Sequence, residues 1–593
     1  MLVFGDATRR ERCANKLARV ADALDRSAAA PAGLRRHSLL VEALIESGEL
    51  AQGIADRDFH AAGDLDRAAP DADAALASTM AIARRCAASW SSRFAEQSAA
   101  PALQPMHSRA SWSDGDIEVK QPEGYAFYAL YPESYFVAAQ KLADGRRWQV
   151  LGVRSIGTSL ACMVAAGLGA AQPITVRPVG DPFARRIACD PERIDRAADA
   201  YALVDEGPGL SGSSLAAVAR WLLDAGVPEE RLHIFAAHRR GPGSAARDDV
   251  RALWQRAQAA RRVHVATFDD VMLHAAAPEH GIETWVASLL GPLDEPLREI
   301  GGGAWRELQP PRGVPAPVHP WQERRKFLAR AGGRRWLVKF NGLGATGERK
   351  LAKARVLGAA GFTSEPLGAC HGFIVERWRD DALPWPALLS ARERSALLER
   401  VAAYLAFRAR RFRESADAGA SIGALAAMGR QNSEEALGRP LAIAWSRWSP
   451  HEATLASLVR RVATDNRMHA WEWLCCPEGF LKTDAIDHHA GHDLIGCQDI
   501  AWDVAGAAAE LDLDDDEALR LAADVGALAG APGSEPLVRF FAGCYPAFQL
   551  GHFDDAARSA GDATEAALLG AARARYAGRL RRVLESPAFT PMR

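Results

Sequence analysis

Apolar and polar positions follow different rhythms along this chain. Up to about residue 110 the apolar residues recur at helical spacing, as in RCANKLARVADALDR and DADAALASTMAIARRCAASW, with few β-branched residues, which predicts a helical N-terminal region over 1–110. The stretch AAPALQPMHSRASWSDGD, with its Pro, Ser and Gly, reads as a boundary, and from Ile117 strand-like patches such as YAFYALYPESYF set in. Between Trp148 and His238 strand and helix patterns alternate: WQVLGV, SLACMVAAGLG, AYALVDE, SLAAVARWLLDAG, RLHIFAAH. That alternation predicts a parallel sheet wrapped by helices over 117–265, with any ligand at the carboxyl ends of its strands.

Residues 266–320 are mixed in pattern and end in the Pro-rich QPPRGVPAPVHP, which we read as a connector and linker. The region 321–385 predicts a hairpin around Gly332-Gly333, then the helix GERKLAKARVLGAAG ending in Gly, then two strands in EPLGACHGFIVERW. From 386 to 593 the pattern is mainly helical, interrupted by the strand-like GFLKTDA and HDLIGCQD. The expected fold class is a multidomain α/β protein.

With 593 residues, more than one core is required. A net charge of −2 and a pI near 6.8 give no global attraction to nucleic acid or anionic membrane, so small-molecule partners are expected; oligomeric state is not read. The longest apolar candidate, Leu160–Ala171, is too short to span a bilayer, and the start lacks a signal-peptide order, so a cytoplasmic location is expected. Nine scattered cysteines without a CxxC pair suggest neither a disulfide framework nor a structural zinc site.

The segment YALVDEGPGLSGSSLAAVARWLL carries the most specific chemistry. Gly207, Gly209 and Gly212 can form a nest of backbone N–H groups, and the helix starting near Ser213 aims its positive end at the same point, which suits a phosphate. Ser211, Ser213 and Ser214 can add donors, and Asp205 and Glu206 are acceptors for vicinal ribose hydroxyls or a metal-bound water. The segment resembles the 5-phosphoribosyl-diphosphate (PRPP) motif of type I phosphoribosyltransferases, and VLGVRSIGTSLA is similar to that family's pyrophosphate loop. The resemblance implies a parallel sheet with helices, PRPP as substrate, Mg²⁺ as cofactor, and a small nucleobase-like acceptor. It also implies Asp205 and Glu206 as catalytic residues, with Arg154, Ser155, Ile156 and Gly157 against the diphosphate. The segment between the two loops, with Arg185 and Arg186, is either a mobile cover or a solvated hairpin. The spacer after Glu206 is one residue longer than usual, and no carboxylate lies within Gly207–Leu210, so the acceptor's base is unassigned.

In the second half Lys339 ends an apolar strand and Glu348 begins the next helix, a placement that can hold ATP phosphates. FIVERW and GFLKTDAIDHHAGHDLIGCQDIAWDVAGAAAEL resemble the hinge and the catalytic and metal-binding segments of aminoglycoside-phosphotransferase-like kinases. That resemblance implies a two-lobed α+β domain, a hinge at Glu376–Trp378, ATP as a possible cofactor, Asp484 as the catalytic aspartate, His489 and Asp499 as metal ligands, and Asp503 as a cap of the following helix. Lys482-Thr483 departs from the family's usual pair before the aspartate, and no glycine-rich loop precedes Lys339. The cluster Asp487, His488, His489, His492 and Asp493 leaves a transition-metal site open as an alternative. The run RARRFR over Arg408–Arg413 reads as a solvated helix face. Two overall readings stand: a phosphoribosyltransferase fused to a phosphotransferase, or a non-catalytic phosphoribosyl-sensing regulatory or defence protein with a degenerate kinase-like module.

Overall fold

The computed structural model describes residues 8–95, 115–308, 315–320, 322–384, 390–491 and 495–591. The expected boundary segment lies almost wholly outside these residues, as do His492, Asp493 and the first half of the Pro-rich linker.

Strand β1 (Thr8–Arg12) leads into helices α1 (Cys13–Ala29), α2 (Leu34–Ala61) and α3 (Pro70–Ser91), and pairs antiparallel with β2 (Asp116–Lys120). Helix α3 starts with Pro70 at its first turn, where the missing N–H costs nothing. The patch YAFYALYPESYF is helical rather than extended: α4 (Glu123–Phe127) and α5 (Pro132–Gln140). Pro132 opens α5, and Tyr125, Phe127, Tyr131, Tyr135 and Phe136 are all buried, so tertiary packing overrides the β preference of the aromatics.

Next come β3 (Trp148–Val153), α6 (Gly157–Leu168), β4 (Ile174–Val176), the short hairpin β5 (Pro178–Val179) and β6 (Arg186–Ile187), β7 (Ala200–Val204), α7 (Ser213–Asp224), β8 (Leu232–Phe235), α8 (Asp248–Ala259) and β9 (Val263–His264). Five strands form an all-parallel sheet in the order β4-β3-β7-β8-β9. Its central strands β3, β7 and β8 are buried on both faces: Val150, Ala202 and Phe235 face the core shared with α2, α3, α5 and α6, whereas Leu151, Leu203 and Ile234 pack with residues of α7 and α8.

The segment read as a connector contains α9 (Ile282–Leu290) and β10 (Arg298–Glu299), and β10 joins the edge of a second sheet. That sheet uses β11 (Lys326–Ala331), β12 (Arg334–Phe340), β13 (Pro366–Cys370) and β14 (Phe373–Arg377) in the antiparallel order β10-β11-β12-β14-β13, with α10 (Gly344–Ala359) beside it. Gly332 and Gly333 both have positive φ (57° and 71°), as a two-residue turn between twisted strands requires. Phe327, Val338, Phe340 and Phe373 of this sheet belong to the same apolar core as the N-terminal helices and one face of the parallel sheet.

The remainder comprises β15 (Leu383–Pro384), α11 (Ala391–Arg411), α12 (Ile422–Leu437), α13 (Arg439–Ala442), α14 (Glu452–Leu458), β16 (Arg461–Val462), the hairpin β17 (Trp473–Cys476) and β18 (Gly479–Lys482), β19 (Gln498–Asp499), α15 (Ala501–Glu510), α16 (Asp515–Ala529), α17 (Glu535–Ser559) and α18 (Ala563–Glu585). Ser390–Glu393 and Asp514–Glu517 form reciprocal capping boxes at the starts of α11 and α16. Arg408 corrects the reading of a solvated run: it is 0% exposed and bonds the carbonyls of Ala463 (2.6 Å) and Ala485 (2.8 Å) and the Tyr404 hydroxyl (2.7 Å). No helix among the described residues is long and apolar enough to cross a membrane.

Candidate functional site

The turns after β3 and β7 lie side by side because those strands pair in parallel register, Gly152 opposite Val204. Both open into a cavity of about 1750 Å³ whose lining includes Ser155, Ile156, Asp205, Glu206, Gly207, Gly209 and Ser214. Arg177, Arg185, His238 and Arg240 line it as well, and its far wall carries His319, Arg325, His552 and Arg558 from the second half of the chain.

Asp205 continues the buried strand β7, and its Oδ1 accepts the N–H of Glu206 (2.9 Å). Burial pushes its carboxyl up to about 7. The Glu206 carboxylate accepts the N–H of Gly124 at 3.2 Å. Gly209 and Gly212 take left-handed backbone (φ 58° and 62°), which turns the chain into the start of α7.

Several expected contacts are corrected. Ser211 and Ser213 do not line the cavity: both hydroxyls donate to the Pro182 carbonyl (3.2 and 2.6 Å) at the tip of the β5–β6 hairpin. Gly212 is buried against Pro242 and Val250, where a Cβ would come within 2.8 Å of Pro242. Gly157 serves helix–sheet packing, since a Cβ there would meet the Val204 carbonyl at 2.7 Å. Arg154 borders the cavity, but its guanidinium is consumed by Asp66 (2.6 Å) and Asp56 (2.9 Å). Asp56 also binds Arg177, and Asp66 accepts the Arg177 N–H (2.8 Å), so acids from the N-terminal helical region neutralise two arginines behind the turn. Burial alone would raise Asp56, but Arg177 and Arg154 hold it below its ordinary value. The Arg154–Ser155 peptide bond is cis. The intervening segment is an antiparallel hairpin that brings Arg185 to the cavity, while Arg186 lies on its exposed strand.

A second cluster lies between the antiparallel sheet and the helical remainder. Lys339, at the end of β12, ion-pairs with Asp484. Glu348 is not its partner, because that side chain is exposed and bonds Arg35 of α2 (2.6 Å). The helix residue that faces the cluster is Lys350, which bonds Asp487 (2.7 Å) and the Ala126 carbonyl (3.0 Å). Burial lowers Lys350 to about 8, whereas Lys339 and His488 hold Asp484 well below the usual carboxylate range against its burial. Glu376 of β14 is pushed up to about 7 by burial.

His489 is no metal ligand here: its Nε2 faces Lys353 (2.9 Å) and its Nδ1 the Thr464 carbonyl (3.1 Å). Asp499 is likewise withdrawn, its two oxygens accepting the N–H groups of Arg460 (2.8 Å) and Ala501 (2.9 Å). Asp503 does not cap its own helix; it accepts the N–H groups of Asp465 (2.7 Å) and Asn466 (2.9 Å). The acids that gather with Asp484 are Asp487, Asp465 and Glu472, with His488 bridging Asp465 and Asp484 at 3.4 Å each. Lys482 ties Asp465 (3.4 Å) to Glu472 (2.5 Å). Sequence reasoning passed over Asp465 and Glu472; a signal was present in the apolar pair β17–β18, which places a loop before the hairpin and Asp484 after it.

No protein-family model and no curated protein matches the chain. Solved structures similar to part of it include choline kinase LicA from Streptococcus pneumoniae (14% identity, 43% of this chain, 89% of that chain, TM-score 0.29). A choline/ethanolamine kinase family protein from Mesorhizobium loti (14%, 54% and 94%, TM-score 0.32) and an ethanolamine kinase from Plasmodium vivax (10%, 63% and 94%, TM-score 0.30) are also similar in part.

Proposed function

We propose that the parallel-sheet half is a phosphoribosyltransferase that uses or releases PRPP with a small nucleobase-like acceptor. The observation that carries this reading is the shared cavity: two turns at the carboxyl ends of adjacent parallel strands open into it beside a pair of acids. In this reading the sugar phosphate sits at the start of α7, where Ser214 and the backbone around Gly207 and Gly209 face the cavity and the helix dipole favours an anion. Arg185 and Arg240 add positive charge for the diphosphate.

Asp205 and Glu206 offer hard carboxylate oxygens and so fit a Mg²⁺ ion, which would neutralise charge on the departing diphosphate. The chain's own contribution is positioning. Glu206, held by Gly124, and Asp205, held by the Glu206 amide, orient the ribose hydroxyls as positive charge develops at the sugar's C1. The expected result is Mg²⁺-dependent diphosphate release from PRPP over a nucleobase panel. It should fall about 100-fold or more in an Asp205→Asn/Glu206→Gln double variant. Equal release by the double variant, or no binding of PRPP by the wild type, would refute the assignment.

For the second half a specific observation favours a kinase-like module that holds nucleotide without transferring phosphate. A loop at 463–472 and the hairpin β17–β18 precede Asp484, one hairpin earlier than the resemblance implied, and in this reading Asp484 takes the metal-binding role rather than the catalytic one. The carboxylate in that loop nearest the expected base, Asp465, is 1% exposed and engaged by Tyr404, Lys482 and His488, so it is poorly placed to accept a substrate proton. ATP turnover that vanishes on Asp484→Ala would count against this reading and restore phosphoryl transfer.

A further inference from the structure

His37 of α2, Glu133 of α5 and His371 of the β13–β14 turn converge from three distant parts of the sequence. All are 0–6% exposed. The Nε2 atoms of both histidines face the same carboxylate oxygen, Glu133 Oε1, at 2.8 and 2.9 Å. The other oxygen, Glu133 Oε2, is buried with no hydrogen-bond partner. Trp90 and Phe94 pack on His37, and Tyr131 and Trp285 on His371, so the centre has aromatic walls.

The outer nitrogen of each ring is held by a hydroxyl: Ser38 Oγ, which also lies 2.9 Å from the Leu34 carbonyl, is 3.0 Å from His371 Nδ1, and Ser89 Oγ is 3.1 Å from His37 Nδ1. Both rings are thereby fixed with Nε2 turned toward Glu133, so that two imidazole nitrogens and a carboxylate with one unpartnered oxygen share a single buried point.

We propose that His37, Glu133 and His371 form a structural site for a divalent transition-metal cation of the zinc class. Two imidazole nitrogens and a carboxylate that can offer both oxygens make a four-donor set suited to that ion, and the hydroxyls of Ser38 and Ser89 orient the ligand rings. Opening the two N···O contacts by about half an ångström would place each donor about 2 Å from a shared ion. The ion would clamp the N-terminal helices, the parallel-sheet unit and the antiparallel sheet at one point.

The test is metal analysis of the purified full chain, grown with zinc and dialysed, together with melting in the presence and absence of a strong chelator. About one ion per chain is expected, with a melting temperature about 5 °C lower once it is stripped. His371→Ala should abolish retention, and Ser38→Ala, which leaves all three ligands in place, should weaken affinity about 10–100-fold. Cobalt substitution should give the visible bands of a four-coordinate nitrogen–oxygen site, lost in Glu133→Gln. Wild-type protein that holds well under one ion per chain after zinc loading, and whose melting ignores both zinc and chelator, would overturn the proposal and leave a buried imidazolium–carboxylate bridge.

Discussion

Replacing Asp205 with Asn should stabilise the protein while removing its proposed activity, and the gain should depend on pH. The folded protein keeps the Asp205 proton up to about 7, whereas an unfolded chain releases it near 3.8. Folding is therefore unpenalised below about pH 4, loses ground as pH rises between the two values, and carries the full cost above about pH 7. The interval corresponds to roughly 4 kcal/mol, and water in the cavity that Asp205 borders screens part of it, leaving about 1–2 kcal/mol. Asparagine keeps an oxygen to accept the Glu206 N–H and has no charge to desolvate. Calorimetric melting of both proteins without ligand should show Asp205→Asn higher by about 2–6 °C at pH 8 and by less than half of that at pH 5. A variant gain that is the same at both pH values, or a wild type that is the more stable at pH 8, would refute the claim that burial strains this carboxylate.

Arg408→Met should destabilise the C-terminal half by about 3–5 kcal/mol, because it orphans the Ala463 and Ala485 carbonyls in a buried site; denaturant unfolding that leaves the midpoint unchanged would contradict this. Gly152→Ala should cost about 3 kcal/mol and lower the yield of folded protein, since the added Cβ would lie 2.4 Å from the Gly157 carbonyl; near-wild-type melting would show that α6 can shift away from β3.

What the sequence shows and what it hides divide along the range of the interactions. Apolar runs bounded by Gly predict β3, β7, β8 and the β11–β12 hairpin, because a strand buried on both faces needs little beyond its own composition. The acidic pair and the glycines of residues 205–212 are equally local, and so is the positive end of α7. The serines of the same loop look equivalent on paper, yet Ser214 faces the cavity and Ser211 and Ser213 do not. What separates them is the Pro182 carbonyl, which a hairpin inserted between β4 and β7 brings to the loop. Arg154 fails as an anion ligand for a similar reason, its counter-charges coming from Asp56 and Asp66, about 90 residues earlier in the chain. In the second half the aspartates are visible but their order is not. Asp503 reaches back to two amides at 465–466, and only that contact identifies the loop before the hairpin as the one that the helix supports. A buried carboxylate serving distant amides and one serving a ligand are the same letter in a sequence. They differ in which groups already occupy the oxygens: backbone N–H groups take those of Asp499 and Asp503, whereas Asp484 faces only the side chains of Lys339 and His488.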